Sequence, residues 1–301
     1  MRDPVWTLRR GGFTPLPPER QGGTPSRFTL WGIVNVTPDS FFDGGRHETC
    51  AEALAHAVKL LADGARILDL GGASSRPGAA DVPAEEEARR VLPLVRELAG
   101  RRGEDPGIPA ETLLSVDTWR ASVAEAALDA GADIINDISG CAWEPRLREI
   151  VSSFRPGYVL MHCLPGTTPG TMQRDPRYAN VVDEVARFFE SSMAALVRAG
   201  LPEENIILDP GIGFGKTAAH NASLLAGMER FQALGRPVLL GVSQKSLFGT
   251  LLGLETGERG EATSVCTALL AARGVSHHRV HDVAAARRAL VLAEHFTPWR
   301  N

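Results

Sequence analysis

Three acceptor-rich side chains stand at or near the ends of apolar runs: Asp117 after TLLSV, Asn136 within DIINDIS and Asp209 after NIIL. An ionised carboxylate only accepts hydrogen bonds, whereas an amide both accepts and donates. Together the three suit the edge of a flat heterocycle that presents N–H and NH2 donors beside ring acceptors, such as a 2-amino-4-oxo pyrimidine. Each alone reads equally well as the cap of a following helix; three on one rim weaken that reading. A cationic set, Arg76, Lys245 and Arg279 with His281 nearby, points to an anion. Guanidinium forks take phosphate oxygens two at a time, and lysine supplies a compact charge. Arg76 precedes Pro77, which biases it toward an extended conformation able to reach from a loop. Exposed surface is the usual fate of Arg and Lys, but Lys245 and Arg279 sit at or near the ends of apolar runs.

DPGIGFGKT, residues 209–217, looks like a nucleotide phosphate loop, yet that pattern requires glycine where Pro210 stands. It reads instead as a glycine-rich turn at a strand end, where backbone can approach a flat ligand. Cys50, Cys141, Cys163 and Cys266 are scattered, with no spacing suited to zinc or to a redox pair, and are expected to be incidental thiols.

The elements that must position these groups are regular. Eight short apolar runs begin at Thr29, Arg66, Thr112, Asp133, Gly157, Asn205, Pro237 and His277. Between them lie amphipathic stretches such as AEALAHAVKLLADGA and VVDEVARFFESSMAALVRAG, whose apolar residues recur at three and four. Gly64, Gly131 and Gly200 fall where a left-handed cap would turn each helix back. This alternation is the signature of an α/β fold with a parallel sheet. The runs end in Asn35, Asp69, Asp117, Asn136, His162, Asp209, Ser243 with Lys245, and His281 with Asp282, while their starts carry no comparable set. A closed barrel gathers all eight C-terminal ends around one mouth, whereas an open sheet spreads them along a row. A single (β/α)8 TIM barrel over residues 28–301 is therefore expected, after an irregular Gly/Pro/Arg-rich lead-in over 1–27.

Composition removes other classes. With 301 residues, 44% apolar, 23% charged and a net charge of −4, the chain is globular and carries no broad basic field for nucleic acid. Two tyrosines leave little for stacking a line of bases. Neither a secretory signal nor a membrane span is legible, so a soluble, cytoplasmic protein is expected.

Eight segments, VNVTPDSFFDGG, DLGGASSRPGA, LSVDT, DIINDISG, LMHC, ILDPGIGFGK, GVSQKS and RVHDV, resemble dihydropteroate synthases in order and spacing. The resemblance covers nearly the whole chain beyond the lead-in and implies a (β/α)8 barrel. It implies a transferase of folate biosynthesis that condenses 6-hydroxymethyl-7,8-dihydropterin diphosphate with p-aminobenzoate, the step sulfonamides target. Carried over, Asp117, Asn136, Asp209 and Lys245 would hold the pterin, with Phe214 and Gly241 lining its pocket and Arg279 against its face. Asn35, Arg76, Arg279 and His281 would surround the diphosphate and a Mg2+ held by Asn35. Phe41, Phe42, Ser75, Arg76, Pro77 and Ser246 would serve the p-aminobenzoate. Departure of diphosphate would leave a cation at the pterin methylene, attacked by the amine behind ordered loops that exclude water. A homodimer is expected on the same basis.

Four features depart from the family pattern: Phe42 where Ser is usual, Ala73 and Ser75 for Glu and Thr, Gln244 for Arg, and a longer MHCLPGTTPGTMQ segment. Loss of the positive charge at Gln244 predicts weaker binding of p-aminobenzoate and sulfonamides if that side chain faces the site. Three other readings stand beside the synthase: a methyltetrahydrofolate-binding methyltransferase, a Schiff-base aldolase using Lys245, and a pterin-binding paralogue without turnover.

Overall fold

The computed structural model describes residues 6–8, 11–13, 27–36, 46–73, 82–164, 166–168 and 170–296. Within the lead-in read as irregular, β1 (Trp6–Leu8) and β2 (Gly11–Phe13) pair antiparallel as a short hairpin. Eight parallel strands follow: β3 (Thr29–Asn35), β4 (Ile67–Gly71), β5 (Leu113–Asp117), β6 (Ile134–Asp137), β7 (Gly157–Met161), β8 (Ile206–Asp209), β9 (Leu239–Leu240) and β10 (His277–Val280). Each coincides with one of the eight apolar runs. The helices between them are α1 (Arg46–Asp63), α2 (Ala84–Arg101), α3 (Ala121–Asp129), α4 (Leu147–Phe154) and α5 (Val181–Ala199). Pairs α6 (Ala218–Ala226) with α7 (Met228–Gln232), and α8 (Ser246–Leu252) with α9 (Gly260–Ala272), flank β9, and α10 (Val283–Phe296) closes the chain. Gly64, Gly131 and Gly200 take φ of 112, 107 and 112°, as their places after helices require.

The strand order is β8-β7-β6-β5-β4-β3-β10-β9. A parallel bridge from Leu208 to Val238, with the Leu208 N–H donating to the Pro237 carbonyl at 2.9 Å, brings the two edges together. The sheet is thereby a barrel with helices outside. β9 is shorter than its apolar run because Pro237 has no N–H to give and the chain curls after Leu240, the Lys245 N–H reaching the Val242 carbonyl.

Register places the chemistry. Asn35 pairs with Gly71, Gly71 with Asp117 and Asp117 with Asn136, so these lie in one layer across four strands. Asp69 and Ser115 form the layer beneath. Leu68, Leu70, Leu114, Val116 and Ile135, at the alternating positions, belong to the apolar cluster shared with the helices.

The opposite end of the barrel is stoppered by the hairpin. Trp6 and Leu8 join Trp31, Ile67, Leu113, Ile134, Val159, Ile207 and Leu239 in a separate buried cluster. Trp6 stacks on Trp31 with centroids 5.7 Å apart and meets His277 edge-on at 5.6 Å. Its indole N–H donates to the Asn205 carbonyl at 2.7 Å. Gly157, at the start of β7, leaves room for this plug: a Cβ there would collide with Leu8 and Trp6.

Candidate active site

The mouth of the barrel holds a cavity of about 320 Å3, counting the space open to solvent. Asp117, Asn136 and Asp209 supply its polar wall, and Lys245 and Arg279 its cations. Ile138, Met161, Ile212 and Phe214 form the apolar wall, with Gly241 at the edge. Seven residues singled out in the sequence thus meet at one place, although 162 positions separate Asp117 from Arg279.

Beneath the cavity Asp69, fully buried, accepts three hydrogen bonds: from Ser115 Oγ at 2.6 Å, Asn136 Nδ2 at 3.1 Å and Arg279 Nε at 2.5 Å. Arg279 gives its terminal nitrogen to Asp117 at 2.9 Å. Burial works against the Arg279 charge, but Asp69, Asp117 and Asp209 outweigh it and hold the guanidinium protonated more firmly than usual. Burial pushes Asp117 up to about 7, with Arg279 opposing and Asp69 reinforcing. Asp209 is also raised by burial, against the Gly211 N–H that it accepts at 2.7 Å and the nearby Lys245 and Arg279. The amide orientation of Asn136 follows from the same network: Nδ2 faces Asp69.

The loop after β8 carries the opposite wall. Gly211 has φ 69° and lies so close to the end of β7 that a Cβ would collide with the His162 carbonyl. Lys216, buried behind it, donates to the Phe214 carbonyl at 2.8 Å and the His162 carbonyl at 3.2 Å, and stands 3.0 Å from His162 Nδ1. Burial lowers Lys216 to about 7; burial and Lys216 together lower His162 to about 2, so its ring is neutral. The segment after β7 packs here too. Gln173 donates its amide to the Gly213 carbonyl, and Tyr178 its hydroxyl to Gly215 at 2.9 Å. Phe214 is thus presented to the cavity, with the Lys245 ammonium 4.1 Å from its ring centroid.

The remaining expected residues lie as follows. Asn35 is half-buried at the end of β3, its Oδ1 3.5 Å from where a Cβ on Gly71 would be, on the Asp117 side of the rim. His281 follows β10, its Nδ1 2.9 Å from Ser243 Oγ, and does not line the cavity. Ser246 is exposed at the first position of α8 and does not line the cavity. Phe41, Phe42, Ser75, Arg76 and Pro77 lie outside the described residues. Gln244 turns toward α9 instead of the mouth: its Nε2 is 4.0 Å from a Cβ placed on Gly260, and its Oε1 is buried. Gln244 does not line this cavity.

The sequence assigns no role to Asp69 or Lys216. Asp69 had a signal, since it ends an apolar run like its neighbours. Lys216 was masked by its likeness to a nucleotide loop.

The pterin binding enzyme family matches residues 31–281. The dihydropteroate synthase of Escherichia coli strain K12 is 41% identical over 265 residues, 88% of this chain and 90% of that one. The solved dihydropteroate synthase of Yersinia pestis with a sulfonamide drug superposes with a TM-score of 0.83 at 37% identity, covering 97% of this chain and 98% of that one. That of Xanthomonas albilineans with 4-aminobenzoic acid gives 0.81 at 41% identity, over 95% and 100%. The chain belongs to the pterin-binding enzyme family, and within it to the dihydropteroate synthases. It is a transferase, and its place among the dihydropteroate synthases sets aside the methyltransferase, aldolase and non-catalytic readings.

Proposed function

We propose that this cavity binds the pterin of 6-hydroxymethyl-7,8-dihydropterin diphosphate and that the enzyme joins it to p-aminobenzoate, giving 7,8-dihydropteroate and diphosphate. The observation that carries this reading is the convergence of Asp117, Asn136 and Asp209 on one cavity that Phe214 and Lys245 also line. The two carboxylates accept the N–H and NH2 protons of the pyrimidine edge, Lys245 and the Asn136 amide proton not given to Asp69 donate to its ring acceptors, and Phe214 packs on its face. Arg279, kept charged by Asp69, neutralises negative charge developing on the leaving diphosphate, with His281 and Asn35 beside it. The methylene C–O bond breaks with its electrons leaving on diphosphate, and the amine nitrogen supplies the new C–N bond and loses a proton. Arg76, Phe41, Phe42, Ser75 and Pro77 complete the second-substrate side, with Ser246 at the rim.

Among the described residues no group of three or more His, Cys, Asp or Glu side chains could cage a metal. The neutral amide oxygen of Asn35 instead suits Mg2+ carried in by diphosphate oxygens, since this ion keeps waters and is commonly held by few protein groups plus phosphates. When bound, it supplies Lewis-acid stabilisation of the departing diphosphate.

A homodimer is the proposed assembly. Among the described residues Leu251 and Leu252 on α8, Val265 and Leu269 on α9, and Leu292 and Phe296 on α10 are exposed large apolar side chains, with α9 and α10 packed together. Such apolar exposure suits a second copy of the chain. No helix among the described residues is long and apolar enough to cross a membrane. Four free thiols agree with a reducing cytoplasm.

The test is diphosphate release from the dihydropterin substrate with Mg2+, with and without p-aminobenzoate. Amine-dependent release with dihydropteroate formed is expected. Pterin binding without amine-dependent release would defeat the assignment while leaving the pocket.

A further inference from the structure

Gln244, immediately before the cavity lysine, has φ 59°, a left-handed conformation that glutamine adopts only when its surroundings impose it. What imposes it lies on α9. Thr263 is buried, and its Oγ1 accepts the Gln244 N–H at 3.2 Å while donating to the Arg259 carbonyl at 2.8 Å. Arg259 spreads its guanidinium across two carbonyls, Nη1 to Gln244 at 3.3 Å and Nε to Leu254 at 3.3 Å. Both backbone polar groups of Gln244 are thus taken by α9 or the residue that opens it. Gly249, in α8, admits this reach: a Cβ there would stand 2.8 Å from Arg259 Nη2 and 3.0 Å from the Leu254 carbonyl.

We infer that Arg259 and Thr263 are positioning residues that hold Gln244 left-handed and so aim Lys245 into the cavity, over the Phe214 ring. Neither lines the cavity. Their effect runs through the chain direction at one residue. Were Gln244 to relax to negative φ, the peptide that follows would rotate and carry the Lys245 Cα–Cβ bond away from Phe214. Arginine matters at 259 because a planar fork spans two carbonyls, where a lysine ammonium on its flexible stem serves one. This inference rests on the pterin reading of the cavity.

The experiment measures dissociation constants of 6-hydroxymethyl-7,8-dihydropterin diphosphate by calorimetry, with steady-state kinetics alongside. The set is wild type, Thr263→Val, Thr263→Ser, Arg259→Lys, Lys245→Ala and the double variant Lys245→Ala/Thr263→Val. Thr263→Val keeps the shape and removes the acceptor, and is expected to weaken the pterin ligand about tenfold, the scale of one orphaned buried N–H. Its KM for the pterin substrate rises while that for p-aminobenzoate holds. Thr263→Ser restores the wild-type constant, and Arg259→Lys falls between. In the Lys245→Ala background Thr263→Val costs nothing further. Wild-type affinity in both Thr263→Val and Arg259→Lys overturns the inference. So does the same tenfold loss with Lys245 already removed, which marks a general structural role. Absence of pterin binding by the wild type overturns the reading of the cavity and the inference with it; binding by the wild type that is lost in Lys245→Ala but unmoved in the α9 variants overturns the inference alone.

Discussion

Asp117 serves two masters in the ligand-free site. It takes one nitrogen of Arg279 and is raised to about 7 by burial, so near neutrality it is poised between carboxyl and carboxylate. Only the carboxylate can accept two donors from a heterocycle. Pterin affinity is therefore expected to fall as pH drops through about 7, and the step should vanish in Asp117→Asn; calorimetry across neutrality reads both, and a flat wild-type profile contradicts the role. Asp209 offers a cleaner substitution. In Asp209→Asn the amide oxygen still serves the Gly211 N–H, while an NH2 now faces the ligand's donors. A loss of about 1.5–3 kcal/mol in pterin binding is expected, with the melting temperature held. Loss of fold instead of affinity would show that Asp209 is chiefly structural. Asp117, Asn136 and Asp209 were legible because each breaks an apolar run with a group that a strand interior does not need. Asp69 breaks its run too, but its task, holding Arg279, is visible only across the barrel.

At the scale of elements, the N-terminal hairpin acts as a stopper. Trp6 fills the bottom of the barrel against Trp31 and His277, and Trp6→Ala should cost about 3–5 kcal/mol in urea unfolding. An effect below about 1 kcal/mol would mean that the hairpin adds little to the core. The same layer confers a pH dependence. Burial lowers His277 to about 3 and His278 to about 4, well under the ordinary value near 6.5. The unfolded chain therefore takes up protons first as pH falls. The stability these residues contribute is complete above about pH 6.5 and declines below it, by about 1.4 kcal/mol per pH unit for each group. The raised Asp117, Asp137 and Asp209 work in the opposite sense, because there the folded state binds protons first. Wild type should hence lose more stability between about pH 7 and 5 than a His277→Gln variant, whose amide oxygen can still accept the Trp31 N–H. Equal losses in urea midpoints would remove His277 from the account.

At the scale of the whole molecule, the exposed apolar face proposed for a second copy lies close to the cavity loop. α8 and α9 bear the exposed Leu251, Leu252 and Leu269 and also border the loop that carries Lys245. Under the dimer proposal, Leu269→Glu puts a charge on that face and should give monomers by sedimentation where the wild type gives dimers. A wild-type monomer, or an unaltered dimer in the variant, would direct the search to another face.

The amino-acid sequence by itself determined the number and kind of elements. Periodicities of two and of three to four report which side of each segment is apolar, and those are local quantities. The eight strands lie within the eight runs for that reason, and the run-end residues reach the mouth because every parallel strand points the same way. The tertiary structure alone decided register, closure and partnership. The hairpin was illegible because three-residue strands carry too little pattern and Trp6 finds its place only against a finished barrel. Gln244 read as a lost charge in the site; in the fold its left-handed backbone sends the side chain to α9. Asp69 became a support for Arg279 through contacts 210 positions apart. Such choices depend on groups that meet only after the sheet has closed, and no local pattern encodes them.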